Sequence, residues 1–362
     1  MAKEKTSENT SEKGASSGFD AGAVLRKRPW TTAIVALLLL GGIILLYIFL
    51  PTVANKSQNQ AIIKIPAHAT KEMVRDSLAK YLGDKYADNV LTMSKLRRSA
   101  INRHGAFKID SGMTPYKAER RLAIGKQEPV KIIVNNARGV DIISDRISSR
   151  LDFTSDSLQN HLKDSTYLAQ YGLKPQQALA LFIDDTYEVF WNASPKGITD
   201  KLGDHFKKVW NETRMSKAKA LGLTPAEVII VASIVDEETN KAAERPVVAR
   251  LYLNRLQKGM KLQADPTVKF ALGDFSLRRI RNEHLEVESP YNTYKVFGLP
   301  PGPIRTVTVK DIDAVLDAPS HEYLYMCAKE DFSGYHNFAT DYSTHLQNAR
   351  RYQKALNQRN IR

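Results

Sequence analysis

Residues 228–239 read Val-Ile-Ile-Val-Ala-Ser-Ile-Val-Asp-Glu-Glu-Thr. A nearly unbroken apolar run passes directly into three acids, Asp236, Glu237 and Glu238. Thr224, Pro225 and Glu227 just upstream form a capping-box pattern: a threonine N-cap, proline at the first helical position, and a glutamate reaching back. Together they predict a helix over 225–239 that ends in carboxylates. At about 100° per residue, Val228, Val231, Val235 and Ala242 fall on one stripe, and Glu238 falls within it. Asp236 and Glu237 point away to either side. Glu238 is therefore the acid expected against apolar packing, with Asp236 as runner-up and Glu237 as a solvated neighbour. A carboxyl so placed tends to be held neutral, and a neutral carboxyl at pH 7 can serve as a general acid. The competing reading is a solvated acidic helix end with no chemistry.

The chain has 362 residues and a net charge of +14. That length allows two domains once the N-terminus is set aside. Residues 30–50 carry no charge, follow Arg26, Lys27 and Arg28, and have Trp30 and Tyr47 near their ends. The length and flanks predict a transmembrane helix, residues 1–29 being a disordered cytoplasmic tail and everything after Pro51 extracytoplasmic. A cleaved signal peptide competes, but the apolar run is longer than the usual signal core and no small-x-small site follows closely. Cys327 is the single cysteine, which excludes an internal disulfide and a multi-cysteine zinc site. The eight histidines show no helical pair at metal-ligand spacing, and no glycine-rich phosphate loop is present, so neither metal nor cofactor is expected. The lysines and arginines are spread without the aromatic interleaving of nucleic-acid binders. With an extracytoplasmic location they suit anionic lipid or an anionic wall polymer, or only solubility.

The fold class predicted is α+β. Residues 61–136 form a first unit, with a strand at 61–66, a helix from Thr70, a second helix over 87–103, a strand and turn at 105–114, a helix over 115–123 and a strand at 130–134. Residues 137–362 form a larger second domain. Its helices are expected at 139–150, 155–163, 175–182, 201–221, 225–239, 246–258 and 341–358. Strands are expected near 182–190, 323–328 and 335–338. Residues 263–268 read as a polar turn aimed toward a cleft, and Gly259 as the signal that closes the preceding helix.

The run Asp110-Ser111-Gly112-Met113-Thr114 before a helix loosely resembles small glycan-binding LysM modules; a spacer is the alternative for this unit. The larger domain resembles the endolytic murein transglycosylase (MltG, YceG-like) family. The motifs that carry the resemblance are Ala-Ser-Ile-Val-Asp-Glu-Glu-Thr at 232–239, Asn254-Arg255, Leu-Gln-Ala-Asp-Pro-Thr-Val at 262–268, Tyr291-Asn292-Thr293-Tyr294, Gly-Leu-Pro-Pro-Gly-Pro-Ile at 298–304 and His336-Asn337-Phe338. This chain departs from the family at Asp236, where glutamate is common, and at Asp184, where proline is frequent. The resemblance implies a lytic transglycosylase that cuts the MurNAc-β-1,4-GlcNAc bond of nascent glycan, leaving 1,6-anhydro-MurNAc ends. Glu238 would be the single acid/base, because no water needs activating and one carboxyl of raised pKa suffices. Gln263, Asp265, Tyr291, Asn292, Tyr294 and Asn337 are the candidate substrate-binding residues, right in type for sugar hydroxyls, amides and ring faces. Each also reads as an ordinary turn residue, and Asp265 as a cap. Arg255 would steer stem-peptide carboxylates or close a helix-end salt bridge. Implied partners are peptidoglycan strands, membrane lipid at the cell (inner) membrane, and peptidoglycan synthases. A hydrolytic muramidase pairing Glu238 with Asp265 or Glu244, and a non-catalytic wall-binding scaffold, are the alternatives.

Overall fold

The computed structural model describes residues 29–49, 60–277 and 279–359. Residues 1–28 of the tail expected over 1–29 lie outside them. The N-terminal helix α1, Pro29–Phe49, is apolar along its length, and side chains such as Leu37, Leu38, Ile43 and Leu46 are exposed. Among the described residues no single helix is long and apolar enough to cross a membrane.

The described chain divides into two compact units. The first takes residues up to Ile63, then Ala69–Arg103 and Lys108–Lys126. Strand β1 (Gln60–Ile65) precedes helices α2 (Lys71–Leu82) and α3 (Asp84–Arg97). Strand β2 (Gly105–Asp110) and helix α4 (Pro115–Ile124) follow, and β1 pairs with β2. Thr70 and Thr114 cap α2 and α4 through their hydroxyls. Val74, Leu78, Val90, Ala118 and Leu122 are among the buried helical side chains of this unit, joined by one buried acid, Glu119, which pairs with Arg97 at 3.1 Å. The βααβ order matches the expected layout, but the boundary differs. Strand β3 (Pro129–Val134) was assigned to this unit from the sequence, yet it pairs antiparallel with β4 (Asp185–Phe190), Ile132 opposite Tyr187. It belongs to the second unit, which also takes residues 64–68 and 104–107 and everything from Gln127 onward.

The second unit is mostly helical. Helices α5 (Val140–Ser148), α6 (Ser155–His161) and α7 (Ser165–Ala169) lead to a 3-10 turn, Pro175–Leu181, and to β4. The helix expected over 201–221 is two, α8 (Pro195–Val209) and α9 (Glu212–Ala220), because Asn211 stops one and caps the next by accepting from Arg214 N–H. Helix α10, Pro225–Glu238, has the capping box as read: Thr224 N–H donates to Glu227 at 2.8 Å and Glu227 N–H to the Thr224 hydroxyl at 3.3 Å. Ala226 and every residue from Val228 to Val235 are buried. The helix is thus buried all round rather than on one stripe, and it packs on α11 (Arg245–Gln257), α12 (Asp265–Leu272) and α14 (Val309–Leu316). Ala242 lies past its end, because Thr239 is the C-cap.

Short helix α13 is Asn282–Leu285. Strands β5 (Tyr325–Ala328) and β6 (His336–Ala339) pair antiparallel, Cys327 opposite Asn337, and α15 (Tyr342–Gln358) ends the described chain. The Gly-Leu-Pro-Pro-Gly-Pro-Ile loop is pinned to the middle of α10, where the buried Ser233 hydroxyl accepts from Ile304 N–H at 3.1 Å. A Cβ at Gly302 would collide with the Gln176 carbonyl oxygen, so only glycine allows this approach.

Candidate active site

The three acids at the end of α10 have three different surroundings. Asp236 lies between Arg245 (2.5 Å) and Arg305 (2.7 Å). Glu237 lies between Arg138 (2.7 Å) and Arg305 (2.8 Å), with its side chain only 17% exposed. It is therefore not the solvated neighbour its helical phase suggested: arginines brought in from distant parts of the chain enclose it. Among the described residues, Glu238 has no arginine or lysine within ion-pair distance. The residue is half-buried, and its Oε2 is sealed from solvent with no hydrogen-bond partner among the described residues.

Loss of hydration disfavours the charged form of Glu238, and the nearby negative charge of Asp265 adds to the effect. The Tyr252 hydroxyl, Lys269 and Arg255 act the other way, and the balance leaves the carboxyl pushed up to about 8. Asp236 is also moved up by burial, with Arg305 and Arg245 opposing. Selection among the three acids therefore rests on the distribution of arginines.

Helix α11 supplies the floor. Tyr252 is buried beside Glu238, and burial together with that carboxyl holds its hydroxyl protonated. Arg255 is also buried and is neither a steering group nor a salt-bridge partner. Its guanidinium donates to the carbonyls of Leu324, Lys261 and Leu262 and to Gln263 Oε1, stitching residues 261–263 to the approach of β5. Asn254 does similar work through the carbonyls of His321 and Tyr323.

The region expected as a polar turn at 263–268 becomes the start of α12. Gln263 stands just before it with left-handed backbone (φ +52), an uncommon conformation for a side-chain-bearing residue, and its N–H donates to Thr293 O. Thr293 also accepts from Ala264 N–H at 3.0 Å and meets Thr267 at 2.8 Å. The two loops are thereby fixed together, and across them Tyr294 donates to Asp265 Oδ1 at 2.6 Å. Burial and this bond raise the Tyr294 hydroxyl above the ordinary tyrosine range.

The candidates from sequence therefore separate. Gln263, Asp265 and Tyr294 are drawn into one network near Glu238. Asn292 is not a substrate group: it is fully buried, its amide hydrogens go to the carbonyls of Leu285 and Val287, and its Oδ1 accepts from Tyr294 N–H. Tyr291 packs its ring on Phe270, centroids 4.7 Å apart, as a partly buried member of the core. Asn337 donates to Glu330 at 2.7 Å. Glu244, a candidate second carboxylate from sequence, is buried and spent on Thr239 and His336. Sequence reasoning passed over Tyr252 and quoted His336 in a motif without giving it a role; the positions of both follow from pairings far apart in the chain. Among the described residues no group of three or more His, Cys, Asp or Glu is arranged to hold a metal ion.

One consequence is measurable without substrate. Asp265→Asn removes the negative charge that helps keep Glu238 neutral. The Glu238 carboxyl is then expected to deprotonate at a lower pH, followed by NMR of side-chain-labelled glutamate. An unmoved titration would show that Asp265 has no electrostatic hold on it.

Fold and site together define an α+β domain built around a buried central helix that ends in one desolvated carboxylic acid, unpaired among the described residues. The YceG-like family profile matches residues 63–351, and the chain belongs to that family. It is similar to the endolytic murein transglycosylase of Bacillus subtilis (strain 168), 39% identical over 120 residues covering 33% of each chain. It is also similar to that of Streptococcus pneumoniae serotype 2 (strain D39), 32% identical over 117 residues, 31% of this chain and 21% of the relative. These matches span a third or less of the curated relatives' length. In fold it is similar to a YceG-like protein of Listeria monocytogenes solved by crystallography, with TM-score 0.53 and 23% identity over 80% of this chain and 98% of that one.

Proposed function

We propose that the protein is a peptidoglycan lytic transglycosylase and that Glu238 is its acid/base. The observation that carries this reading is the Glu238 carboxyl: alone among the three acids it has no cationic partner among the described residues, and burial pushes it up to about 8. In the reaction this carboxylic acid protonates the glycosidic oxygen as the bond to the leaving GlcNAc breaks. The resulting carboxylate then takes the proton of the MurNAc C6 hydroxyl, whose oxygen closes the 1,6-anhydro ring. One group serves both steps, and no water is consumed. The names of the bacillus and pneumococcal relatives, both endolytic murein transglycosylases, support the substrate class.

Two further parts of the reading rest on composition. Helix α1, apolar and exposed, is proposed to anchor the chain in the cell membrane, with the second unit outside, near nascent strands and their synthases. The first unit is proposed to space or bind the same glycan. Asp265, close enough to influence Glu238, is the residue through which a hydrolase would act instead. Mass spectrometry of the products released from purified peptidoglycan distinguishes the two. Anhydro-muramic ends are expected, and reducing MurNAc ends would assign hydrolysis and overturn the transglycosylase reading.

A further inference from the structure

Glu244 is 5% exposed and immediately precedes α11. Its Oε1 accepts from the backbone N–H of His336 at 2.8 Å. Its Oε2 accepts from the Thr239 hydroxyl at 3.1 Å and faces His336 Nδ1 at 2.7 Å. Thr239 follows Glu238 directly, is itself buried, and caps α10 through its N–H to Val235 O. Its hydroxyl oxygen also accepts from Lys241 N–H at 3.1 Å, so its proton is free to go to Glu244. One carboxylate thus joins the end of the helix that carries Glu238 to the first residue of β6.

This arrangement decides the tautomer of the neutral imidazole. Glu244 already accepts from two donors, so Nδ1 must donate to it, and in the neutral ring that leaves Nε2 as an acceptor. Among the described residues nothing bonds to Nε2, and it is not sealed from solvent. Phe338 lies beside the imidazole, centroids 6.4 Å apart, and stacks on Tyr323 at 5.4 Å, so the ring has an apolar wall. The imidazole is thus oriented, with one nitrogen anchored and the other open. The neighbouring Asn337 has its amide committed to Glu330.

We propose that His336 is a substrate-binding residue of the Glu238 site, offering Nε2 to a hydroxyl or acetamido N–H of the glycan, and that Glu244 is the positioning residue that orients it. The proposal rests on the transglycosylase reading and assigns a residue that reading does not require.

The test uses the full-length chain and the release of anhydro-muropeptides from purified glycan strands. His336→Asn places an amide near Nδ1, keeping the bond to Glu244 and leaving nothing at Nε2. His336→Gln carries an amide toward the Nε2 position. His336→Asn is expected to raise KM roughly 5- to 10-fold, the worth of one hydrogen bond, with little change in kcat or in the thermal midpoint. His336→Gln is expected to recover part of that loss. Glu244→Gln is expected to raise KM likewise and to abolish the Nδ1–H signature of His336 in 15N spectra, which a purely structural contact would not link to substrate affinity. Wild-type KM in a folded His336→Asn variant overturns the proposal. If that variant does not fold, an unchanged KM in Glu244→Gln overturns it. A wild-type protein that releases no glycan product overturns the transglycosylase reading and this proposal with it, whereas product from the wild type with indifferent variants overturns this proposal alone.

Discussion

Glu238→Gln is expected to all but abolish release of anhydro-muropeptides, a loss of about 10²- to 10⁴-fold, given what a positioned acid/base contributes. The amide is nearly the same size and keeps a polar group toward Tyr252, so the fold should persist. The two states of the wild-type carboxyl make a second, independent expectation. Folded, Glu238 holds its proton up to about pH 8. Unfolded, it ionises near the ordinary glutamate value of about 4.3. Between those limits the folded chain binds a proton that the unfolded chain lacks, so this group's contribution to stability falls as pH rises and levels off above about 8. Glutamine removes that slope. Urea unfolding should find variant and wild type alike near pH 4, below both values, and the variant more stable at pH 8.5 by on the order of 5 kcal/mol. The wild-type kcat/KM should fall on an alkaline limb near pH 8, where the acid is lost. Full activity in the variant sinks the catalytic assignment. Equal stability of the two proteins at pH 8.5 sinks the claim that the carboxyl is held neutral.

What the sequence made legible was local. Thr224, Pro225 and Glu227 bound the start of α10 because a capping box is written within four residues, and Gly259 marked the end of α11 for the same reason. The turn-like run Asp265-Pro266-Thr267 hid a helix, since Asp-Pro begins both turns and helices and only the contacts of Ala264 and Thr267 with Thr293 decide. Strand β3 went to the wrong unit because its partner lies beyond four intervening helical segments. At the site, phase reached Glu238 by an argument that does not hold. A helix buried on every side has no special stripe, and Glu238 differs from its neighbours because Arg138, Arg245 and Arg305 converge on Asp236 and Glu237. Three arginines spread over 168 residues leave no local signal of where they meet. Asn292 and Gln263 looked equivalent in sequence, as amides in loops. The fold spends one entirely on backbone groups, the carbonyls of Leu285 and Val287 and the N–H of Tyr294, and leaves the other exposed beside Asp265.

That convergence of arginines has its own expected result. Arg245→Met should lower the thermal midpoint of the second unit by roughly 6–15 °C, the equivalent of about 3–5 kcal/mol in a domain of this size. Arg245 bridges Asp236 on α10 to Asp311 on α14, and Asp311 is almost wholly buried. Methionine fills much of the same volume but leaves Asp311 a buried charge whose other described bonds are those of its own cap, with Thr308. Asp236 keeps Arg305, so the uncompensated charge falls on Asp311. It follows that Asp311→Asn in the Arg245→Met background should restore more than half of the lost stability, because asparagine can still accept from Thr308 N–H and carries no charge. A double-mutant cycle by differential scanning calorimetry reads this coupling. Simple addition of the two losses would mean that Arg245 acts through packing alone. Arg245 also donates to Thr239 O at 3.4 Å, from the residue next to Glu238. If the restored variant recovers stability but not turnover, the arginine holds the catalytic helix end in place as well as neutralising its neighbours. If both return together, neutralising Asp311 is its whole contribution.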